Sequence, residues 1–277
     1  MCDLGHRSDA GYAPAVAKRR LDTLLAERGI FDSRSRAAAA VIAGDVRVAG
    51  RPARKPGEMV ADGVVLDVAE RPPYVSRAGV KLRNAMDAFG IDPSGRRALD
   101  VGAATGGFTD CLLQAGAAAV IALDVAYGEL HWRIRNDPRV TVRERRNARS
   151  LRPGELPYAP DLIVIDVSFI SLSKVLPAVL AAAAPTFDCL ALIKPQFEVG
   201  RQRVRKGGVV RSADDRRDAL IAVGEHAQSR LGTAVLGYAP SGLPGPAGNR
   251  ESFIWLAEAG RPGAVDDLDA AARKAEP

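Results

Sequence analysis

Short apolar runs and helix-like spacings alternate along most of this chain. Beyond residue 77, apolar runs predict strands at 97–101, 119–124, 139–143, 161–166, 187–194, 233–239 and 252–257. Helical spacing predicts helices at about 78–89, 107–116, 128–135, 172–184 and 213–231, the last opened by a capping box. This alternation predicts an α/β fold with a doubly wound sheet, whose ligands bind at the carboxyl ends of the strands.

A smaller pattern precedes this sheet. It predicts a helix from Leu21, a second helix capped by Asp32 or Ser33 and ending at Gly44, and strands around 46–48 and 64–68. We therefore expect a small α+β domain over 17–69, a stiff connection over 70–76 and the α/β domain over 77–260. Residues 1–16 are expected to be a disordered leader, and 261–277 a frayed tail.

The segment Ala98-Leu-Asp-Val-Gly-Ala-Ala-Thr-Gly-Gly-Phe-Thr-Asp predicts a strand, a glycine-rich loop and a helix. Glycine lets the backbone approach a ligand closely because it has no Cβ. Asp100, at the strand end, suits an amino acid's ammonium better than a pyrophosphate, and Asp124 suits a ribose diol. The two acids together favour S-adenosylmethionine over a dinucleotide, and a tight turn that binds nothing is the alternative.

Charge and cysteine content narrow the class of protein. The net charge is +6, and residues 18–55 contain ten basic and four acidic side chains, so the excess lies in the small domain. A phosphate backbone is a partner for such a cluster, and a solvated basic face is the alternative. Three cysteines without metal-type spacing, no long apolar stretch and no signal-peptide pattern predict a cytoplasmic protein.

Two sets of motifs resemble known families. Arg20-Leu-Asp, Ser35-Arg36, Gly44-Asp-Val-Arg-Val and Lys55-Pro56 resemble the αL RNA-binding module of a ribosomal protein. The glycine-rich loop and four further motifs are similar to the TlyA family, also labelled hemolysin A: Tyr74-Val-Ser-Arg-Ala-Gly-Val-Lys-Leu, Asp166-Val-Ser-Phe-Ile-Ser, Lys194-Pro-Gln-Phe-Glu-Val-Gly and Pro244-Gly-Pro-Ala-Gly-Asn. Ala78 and Ala104 replace residues that are common in that family. The resemblance implies a Rossmann-like class I methyltransferase sheet of the FtsJ type that methylates ribose 2′-hydroxyls of ribosomal RNA.

The resemblance also implies a catalytic tetrad of Lys81, Asp166, Lys194 and Glu251. Residue chemistry agrees, because a ribose hydroxyl must lose a proton, which a lysine amine can accept and an arginine cannot. Seven lysines stand among 32 arginines, and two of the seven lie at these positions. We expect Lys194 to be the base and Asp166 to hold it. Lys81 would neutralise the site, and Glu251 would orient an ammonium. Each residue alone could equally be a surface lysine, a cap or a surface ion-pair partner.

The remaining binding residues follow from position and charge. For S-adenosylmethionine, the expected residues are Asp100, Gly102, Gly106, Gly107, Phe108, Asp124 and Asn147, of which Asn147 could equally be a turn residue. For RNA, they are Arg19, Arg20, Arg36, Arg47, Lys55, Arg203, Arg205 and Lys206. No His, Cys or carboxylate pattern predicts a metal.

The predicted function is S-adenosylmethionine-dependent 2′-O-methylation of ribose, with cytidine implied by the resemblance, in 16S or 23S ribosomal RNA or both. The partner is ribosomal RNA or an assembled ribosomal subunit. A membrane-active hemolysin is one alternative, although the sequence has neither a spanning segment nor a basic amphipathic helix with an aromatic face. A catalytically silent, RNA-binding assembly factor is the other.

Overall fold

The structure is a computed structural model that describes residues 17–68 and 72–276. The leader expected at 1–16 lies outside these residues. Contacts divide the chain into two units, Met1–Arg71 and Pro72–Pro277, so that the division falls inside the expected connection 70–76. Each unit has its own apolar core.

The described part of the first unit, residues 17–68, contains two helices and five short strands. They are β1 (Lys18–Arg20), α1 (Leu21–Glu27), α2 (Arg34–Ala43), β2 (Val46–Val48), β3 (Arg51–Pro52), β4 (Met59–Ala61) and β5 (Leu66–Val68). Ser33 caps α2 by accepting the Arg36 N–H, and Gly44 ends that helix with a φ of +84°, as predicted. β1 pairs with β4, and β2 lies between β3 and β5. The sequence pattern did not predict β1, β3 or β4, which are each two or three residues long.

The second unit alternates strands and helices. They are α3 (Ala78–Phe89), β6 (Arg97–Val101), α4 (Gly107–Gln114), β7 (Ala119–Leu123), α5 (Trp132–Arg135), β8 (Val140–Arg143), β9 (Leu162–Ile165), α6 (Leu176–Leu180), β10 (Asp188–Ile193), α7 (Pro195–Glu198), α8 (Ala213–Leu231), β11 (Ala234–Pro240), β12 (Ser252–Ala257) and α9 (Leu268–Ala275). The seven-stranded sheet has the order β11-β12-β10-β9-β6-β7-β8. Five neighbouring strands are parallel, and β12 runs antiparallel to β10 and β11. The predicted α/β fold is confirmed.

Three predicted boundaries are corrected. The helix expected at 128–135 is only α5, because Gly128 has a φ of +80° and His131, with a ψ of 136°, is the N-cap at which the helix begins. The helix expected at 172–184 divides into a 3₁₀ helix, Leu172–Lys174, and α6, whose first turn holds a proline, the one part of a helix where proline fits without strain. The frayed tail is wrong, since α9 contacts α8 and β11.

The central strands are apolar on both faces. Along β9, Leu162 and Val164 pack into one core, whereas Ile163 and Ile165 pack into the other. A strand covered on both faces appears in the sequence as a continuous apolar run, which is what predicted these strands. The double core holds the carboxyl ends of the strands in a fixed row, and the first residues beyond that row form the site.

Candidate active site

A cleft of about 430 Å³ lies at the carboxyl ends of β6, β7 and β9. It occupies the point where the strand order of the sheet reverses, which is the usual ligand position in open α/β sheets. The lining includes Gly102, Asp124, Asn147, Asp166, Ser168 and Phe169. Three of the seven residues predicted to hold a cofactor are thus in the wall of the cleft.

The glycines of the loop after β6 have different structural reasons. Gly102 has a φ of +86°, and a Cβ there would lie 2.3 Å from the Asp166 carbonyl oxygen. A Cβ on Gly106 would meet Leu130 at 2.8 Å, and one on Gly107 would meet the Ser76 hydroxyl at 2.1 Å. Gly102 therefore lets the loops after β6 and β9 approach each other, whereas Gly106 and Gly107 allow close packing away from the cleft wall.

Asp100 is completely buried at the end of β6. Its Oδ2 accepts a hydrogen bond from the Thr109 hydroxyl at 2.6 Å, and its Oδ1 has no partner among the residues that the structure describes. Burial raises the pKa of this carboxyl to about 7. An unpartnered buried acceptor of this kind fits the ammonium group of a ligand.

Asp124 and Asn147 line the cleft and also shape it. The Asp124 carboxylate accepts the N–H groups of Ala104 and Ala126, each at 2.8 Å. Asn147 caps a 3₁₀ helix by accepting the Arg149 N–H at 3.1 Å, so it has the turn role that the sequence left open. The Phe108 ring is buried against the Phe253 ring in the core, so the side chain does not reach the cleft.

Lys194 and Asp166 form the first of two lysine–carboxylate pairs. They follow the neighbouring parallel strands β10 and β9, which brings their side chains to the same edge of the sheet. The Lys194 ammonium lies 2.6 Å from Asp166 Oδ1, as an ion pair without good hydrogen-bond angles, and donates to the Ser168 hydroxyl at 2.8 Å. The ammonium is therefore held from two points of one loop.

Lys81 and Glu251 form the second pair. The Lys81 ammonium, on α3, donates to Glu251 Oε2 at 2.6 Å, and both side chains are buried. Glu251 Oε1 has no hydrogen-bond partner among residues 17–68 and 72–276, and a Cβ on Gly245 would lie 2.3 Å from it. Glu251 directly precedes β12, where Ser252 pairs with Ile193, the residue before Lys194. The four predicted catalytic residues thus form two pairs at one sheet edge.

The sequence analysis did not single out Ser168, Phe169 or Glu198 as site residues. Phe169 is 92% exposed, has a φ of +64° and packs its ring 5.4 Å from the Phe197 ring. A non-glycine residue with positive φ and an exposed aromatic ring in a cleft indicates a functional constraint. The motif Asp166-Val-Ser-Phe-Ile-Ser was the available signal, because it follows a strand end directly.

The predicted RNA-binding side chains are exposed or half-exposed, and most have protein partners. Arg19 pairs with Glu27 and Asp62, Arg20 with Asp22, Arg36 with Asp32, and Arg203 with Asp215 and Asp218, while Arg47 donates to the Gly50 carbonyl. Within the described parts of the chain, Lys55, Arg205 and Lys206 form no ion pair. These three are the cations most available to an external anion.

The described residues contain neither a membrane-spanning helix nor a metal cluster. No helix there is long and apolar enough to cross a membrane. No cluster of three His, Cys, Asp or Glu side chains there could hold a metal ion.

Comparisons with known proteins identify the family of the chain. The chain matches the FtsJ-like methyltransferase family over residues 74–258 and the S4 domain over residues 19–66. It is 49% identical to the 16S/23S rRNA (cytidine-2′-O)-methyltransferase TlyA of Mycobacterium tuberculosis, over 87% of this chain and 91% of that protein. It is 42% identical to Hemolysin A of Brachyspira hyodysenteriae, over 69% of this chain and 80% of that protein.

A solved structure extends the match to the fold. A Streptococcus thermophilus protein named for hemolysin superimposes with a TM-score of 0.69 at 35% identity, covering 94% of this chain and 96% of its own. This chain is thus similar both to proteins named as TlyA methyltransferases and to proteins named as hemolysins, so the two groups are related. The chain belongs to the TlyA family of FtsJ-like methyltransferases, with an S4 domain at its N-terminal end.

Proposed function

We propose that this protein methylates the 2′-hydroxyl of cytidine ribose in ribosomal RNA, with S-adenosylmethionine as the methyl donor. The observation that carries the proposal is the two lysine–carboxylate pairs at one sheet edge, of which Lys194–Asp166 includes a residue of the cleft wall. The names of two TlyA relatives indicate the nucleotide and the RNA. Both are named for cytidine, one for 16S and 23S RNA and another, from Campylobacter jejuni, for 23S RNA. Such a substrate assigns the protein to the cytoplasm.

Residues of the cleft wall, together with the buried Asp100, fit the methyl donor. Asp100 Oδ1 is a buried acceptor for the ammonium of the methionine part, directly or through water, and Asp124 is a carboxylate for the ribose diol. Gly102 lies in the cleft wall beside Asp124, and Asn147 offers an amide to the adenine edge. When bound, S-adenosylmethionine supplies a methyl group that its sulfonium has already activated.

Lys194 is the proposed general base. As the neutral amine, its Nζ can take the proton of the ribose hydroxyl, and Asp166 and Ser168 fix the position of that nitrogen. General base catalysis contributes about 10²–10⁴-fold, and correct positioning adds to it. The pair acts as a unit, because Asp166 stabilises the ammonium that proton transfer creates.

Lys81 and Glu251 have a supporting role. Glu251 holds the Lys81 ammonium in a buried pair, so this ammonium has a fixed position at the sheet edge. The second oxygen of Glu251 is buried and has no protein partner among the described residues. Glu251 therefore orients the Lys81 ammonium and balances its charge, and this pair does not take the ribose proton.

RNA binding combines the basic S4 domain with the loop after β10. Exposed cations such as Lys55, Arg205 and Lys206 can contact phosphates, which predicts strongly salt-dependent affinity. Phe169 offers an aromatic face beside Lys194, where the base of a nucleotide drawn out of its helix can stack. The S4 domain positions the RNA, and the cleft selects the ribose.

The test is methyl transfer from radiolabelled S-adenosylmethionine to purified 30S and 50S ribosomal subunits. Lys194→Ala is compared with Lys174→Ala, which removes an exposed lysine outside the site. We expect label on a ribose 2′-oxygen with the wild type and with Lys174→Ala, and none with Lys194→Ala, although that variant still binds the cofactor. No label from the wild type despite cofactor binding would refute the proposal and favour an assembly factor. Leakage of lipid vesicles by the purified protein would support the hemolysin alternative.

A further inference from the structure

Two segments that follow neighbouring strands contact each other through polar groups at two separate places. We call residues 166–171, after β9, the β9 loop and residues 194–198, after β10, the β10 turn. At the first place, the Lys194 ammonium contacts Asp166 and Ser168 of the β9 loop. This contact is part of the proposed reaction chemistry described above.

Glu198 makes a second polar contact at the far end of the β10 turn. One carboxylate oxygen accepts the Ser171 hydroxyl at 2.6 Å, and the other accepts the Leu172 N–H at 2.9 Å. Leu172 begins a 3₁₀ helix, where a backbone N–H has no partner within the helix. Burial raises the pKa of the Glu198 carboxyl, which two hydrogen bonds to its charged form oppose. The side chain thus bridges the β10 turn and the end of the β9 loop.

Phe169, which lies between these two polar contacts, has an unfavourable backbone conformation. Phe169 has a φ of +64°, and its ring packs on the Phe197 ring of the β10 turn. Such a backbone persists only where the surrounding structure fixes it from both sides. Ser168 provides one fixed side through Lys194, and Ser171 provides the other through Glu198. If the Ser171 side is released, the loop can relax at Phe169 and move Ser168 and Asp166.

We propose that Glu198 is a positioning residue, which holds Ser171 and Leu172 so that Asp166 and Ser168 stay in place against Lys194. It does not line the cofactor cleft but a separate groove beside α8. The proposal rests on the proposed function, in which Lys194 takes the ribose proton.

The kinetic test compares Glu198→Ala with a conservative variant and a matched control. Because a misplacement of about 1 Å can cost about 10²-fold in rate, we expect kcat of Glu198→Ala to fall by about 10–100-fold. KM for the cofactor and for RNA should stay within about threefold, since no binding group is removed. Glu198→Gln should restore most of kcat, because its oxygen can accept from Leu172 and its amide can donate to Ser171. Glu225→Ala, an exposed glutamate in the same groove, should match the wild type.

A spectroscopic test follows Lys194 itself. The chain has only seven lysines, so ¹³Cε-labelled lysine gives a simple NMR spectrum in which Lys194→Arg identifies the Lys194 signal. We expect that signal to shift in Glu198→Ala and to stay in place in Glu198→Gln and Glu225→Ala. If Glu198→Ala does not fold, Ser171→Ala removes one of the two hydrogen bonds and should give a smaller shift and a smaller loss of kcat in the same direction.

Two results would overturn the proposal. One is a Glu198→Ala variant with the kcat and the Lys194 signal of the wild type. The other is a variant whose kcat falls together with a large rise in both KM values while the Lys194 signal is unmoved, which indicates general disruption instead. If the wild type transfers no methyl group to RNA, the proposed function fails, but the NMR comparison still decides whether Glu198 positions Lys194.

Discussion

Asp22 and Asp100 are both buried aspartates, one in each unit, and their surroundings are opposite in kind. Asp22 receives Arg20 at 2.7 Å and Arg34 at 3.2 Å, and these guanidinium groups hold its pKa well below the usual range. Asp100 accepts a threonine hydroxyl, its other oxygen has no partner among the described residues, and burial raises its pKa to about 7. A carboxylate that arginines neutralise organises its surroundings, whereas a buried one without a cation among the described residues is suited to binding one.

The same contrast separates Glu58 of the first unit from two site carboxylates of the second unit. In the first unit, Glu58 pairs with Arg51, and this pairing lowers its pKa. In the second unit, Glu251 and Asp166 pair with lysines. Arginine remains protonated in proteins, so an arginine pair is a fixed structural element. A lysine pair can exchange a proton, which is what the proposed chemistry requires.

The sharpest way to break this contrast is Lys194→Arg. The substitution retains a positive charge beside Asp166 but removes the amine that can accept a proton. We expect kcat for methyl transfer to fall by about 10²–10⁴-fold, the range of general base catalysis. The measurement is single-turnover methyl transfer with cofactor binding determined in parallel. Near-normal kcat in this variant would show that charge and not proton transfer is the contribution of Lys194.

The pH dependence of cofactor affinity tests Asp100. Only its charged form attracts an ammonium, so affinity should fall by up to about tenfold for each pH unit below about 7. Titration calorimetry between about pH 5.5 and 8.5 measures this slope. In Asp100→Asn we expect affinity about 10–100-fold weaker at pH 8 and independent of pH, since loss of a charged hydrogen bond costs about 1.5–3 kcal/mol. A wild-type affinity that does not change with pH would contradict the assignment.

The folding stability that Asp100 contributes should depend on pH in the opposite direction to cofactor affinity. Its folded pKa lies above the unfolded value of about 3.9, so this group stabilises the folded protein below about pH 4. That contribution is lost as the pH rises through about 7, and Asp100→Asn should remove the dependence. Chemical denaturation of the cofactor-free protein across this window measures the effect. The stability of the wild type is compared with that of Asp100→Asn at each pH. If the wild type loses stability relative to this variant as the pH falls from about 7 to about 4, the prediction is contradicted.

How far the sequence could predict this molecule depended on the kind of contact. Continuous apolar runs predicted the buried strands, and the order of motifs named Lys81, Asp166, Lys194 and Glu251. The contact of Lys194 with Asp166 was expected, but the sequence left open which ammonium Glu251 orients, because that depends on how α3 and the start of β12 pack beside β10. Their catalytic roles stay a prediction.

Other features had too weak a signal in the sequence. Helix α9 buries Ala272 and Ala275, whose small side chains barely mark an apolar face among charged neighbours. The Glu198 bridge joins two loops of separate strands, and no local spacing shows that Glu198 faces Ser171 and Leu172. Contacts between loops depend on backbone turns such as that at Phe169, which a pattern of residue types does not specify.

Asp22→Asn tests the arginine side of the comparison. It leaves Arg20 and Arg34 facing each other without the carboxylate that joins them, so we expect the first unit to lose about 2 kcal/mol of stability. Hydrogen exchange at Leu24 and Leu25 amides in the full chain, both in the core of this unit, measures the loss. In the wild type, the depressed pKa means that this stability is present above about pH 4 and is lost as the pH falls further. Unchanged exchange in Asp22→Asn would show that Asp22 does not organise this unit.

Asp32→Ala should have the smallest effect and sets the lower end of the comparison. Asp32 and Arg36 form an ion pair between neighbouring turns, but they are 81% and 69% exposed, so solvent screens their attraction. We expect a change below about 0.5 kcal/mol that disappears at high salt. Ser33→Ala, which removes the adjacent cap of α2, should cost about 1 kcal/mol and so shows that the assay can detect local effects. If Asp32→Ala and Asp22→Asn lost the same amount of stability, burial of the carboxylate would not explain why one arginine pair stabilises the fold more than the other.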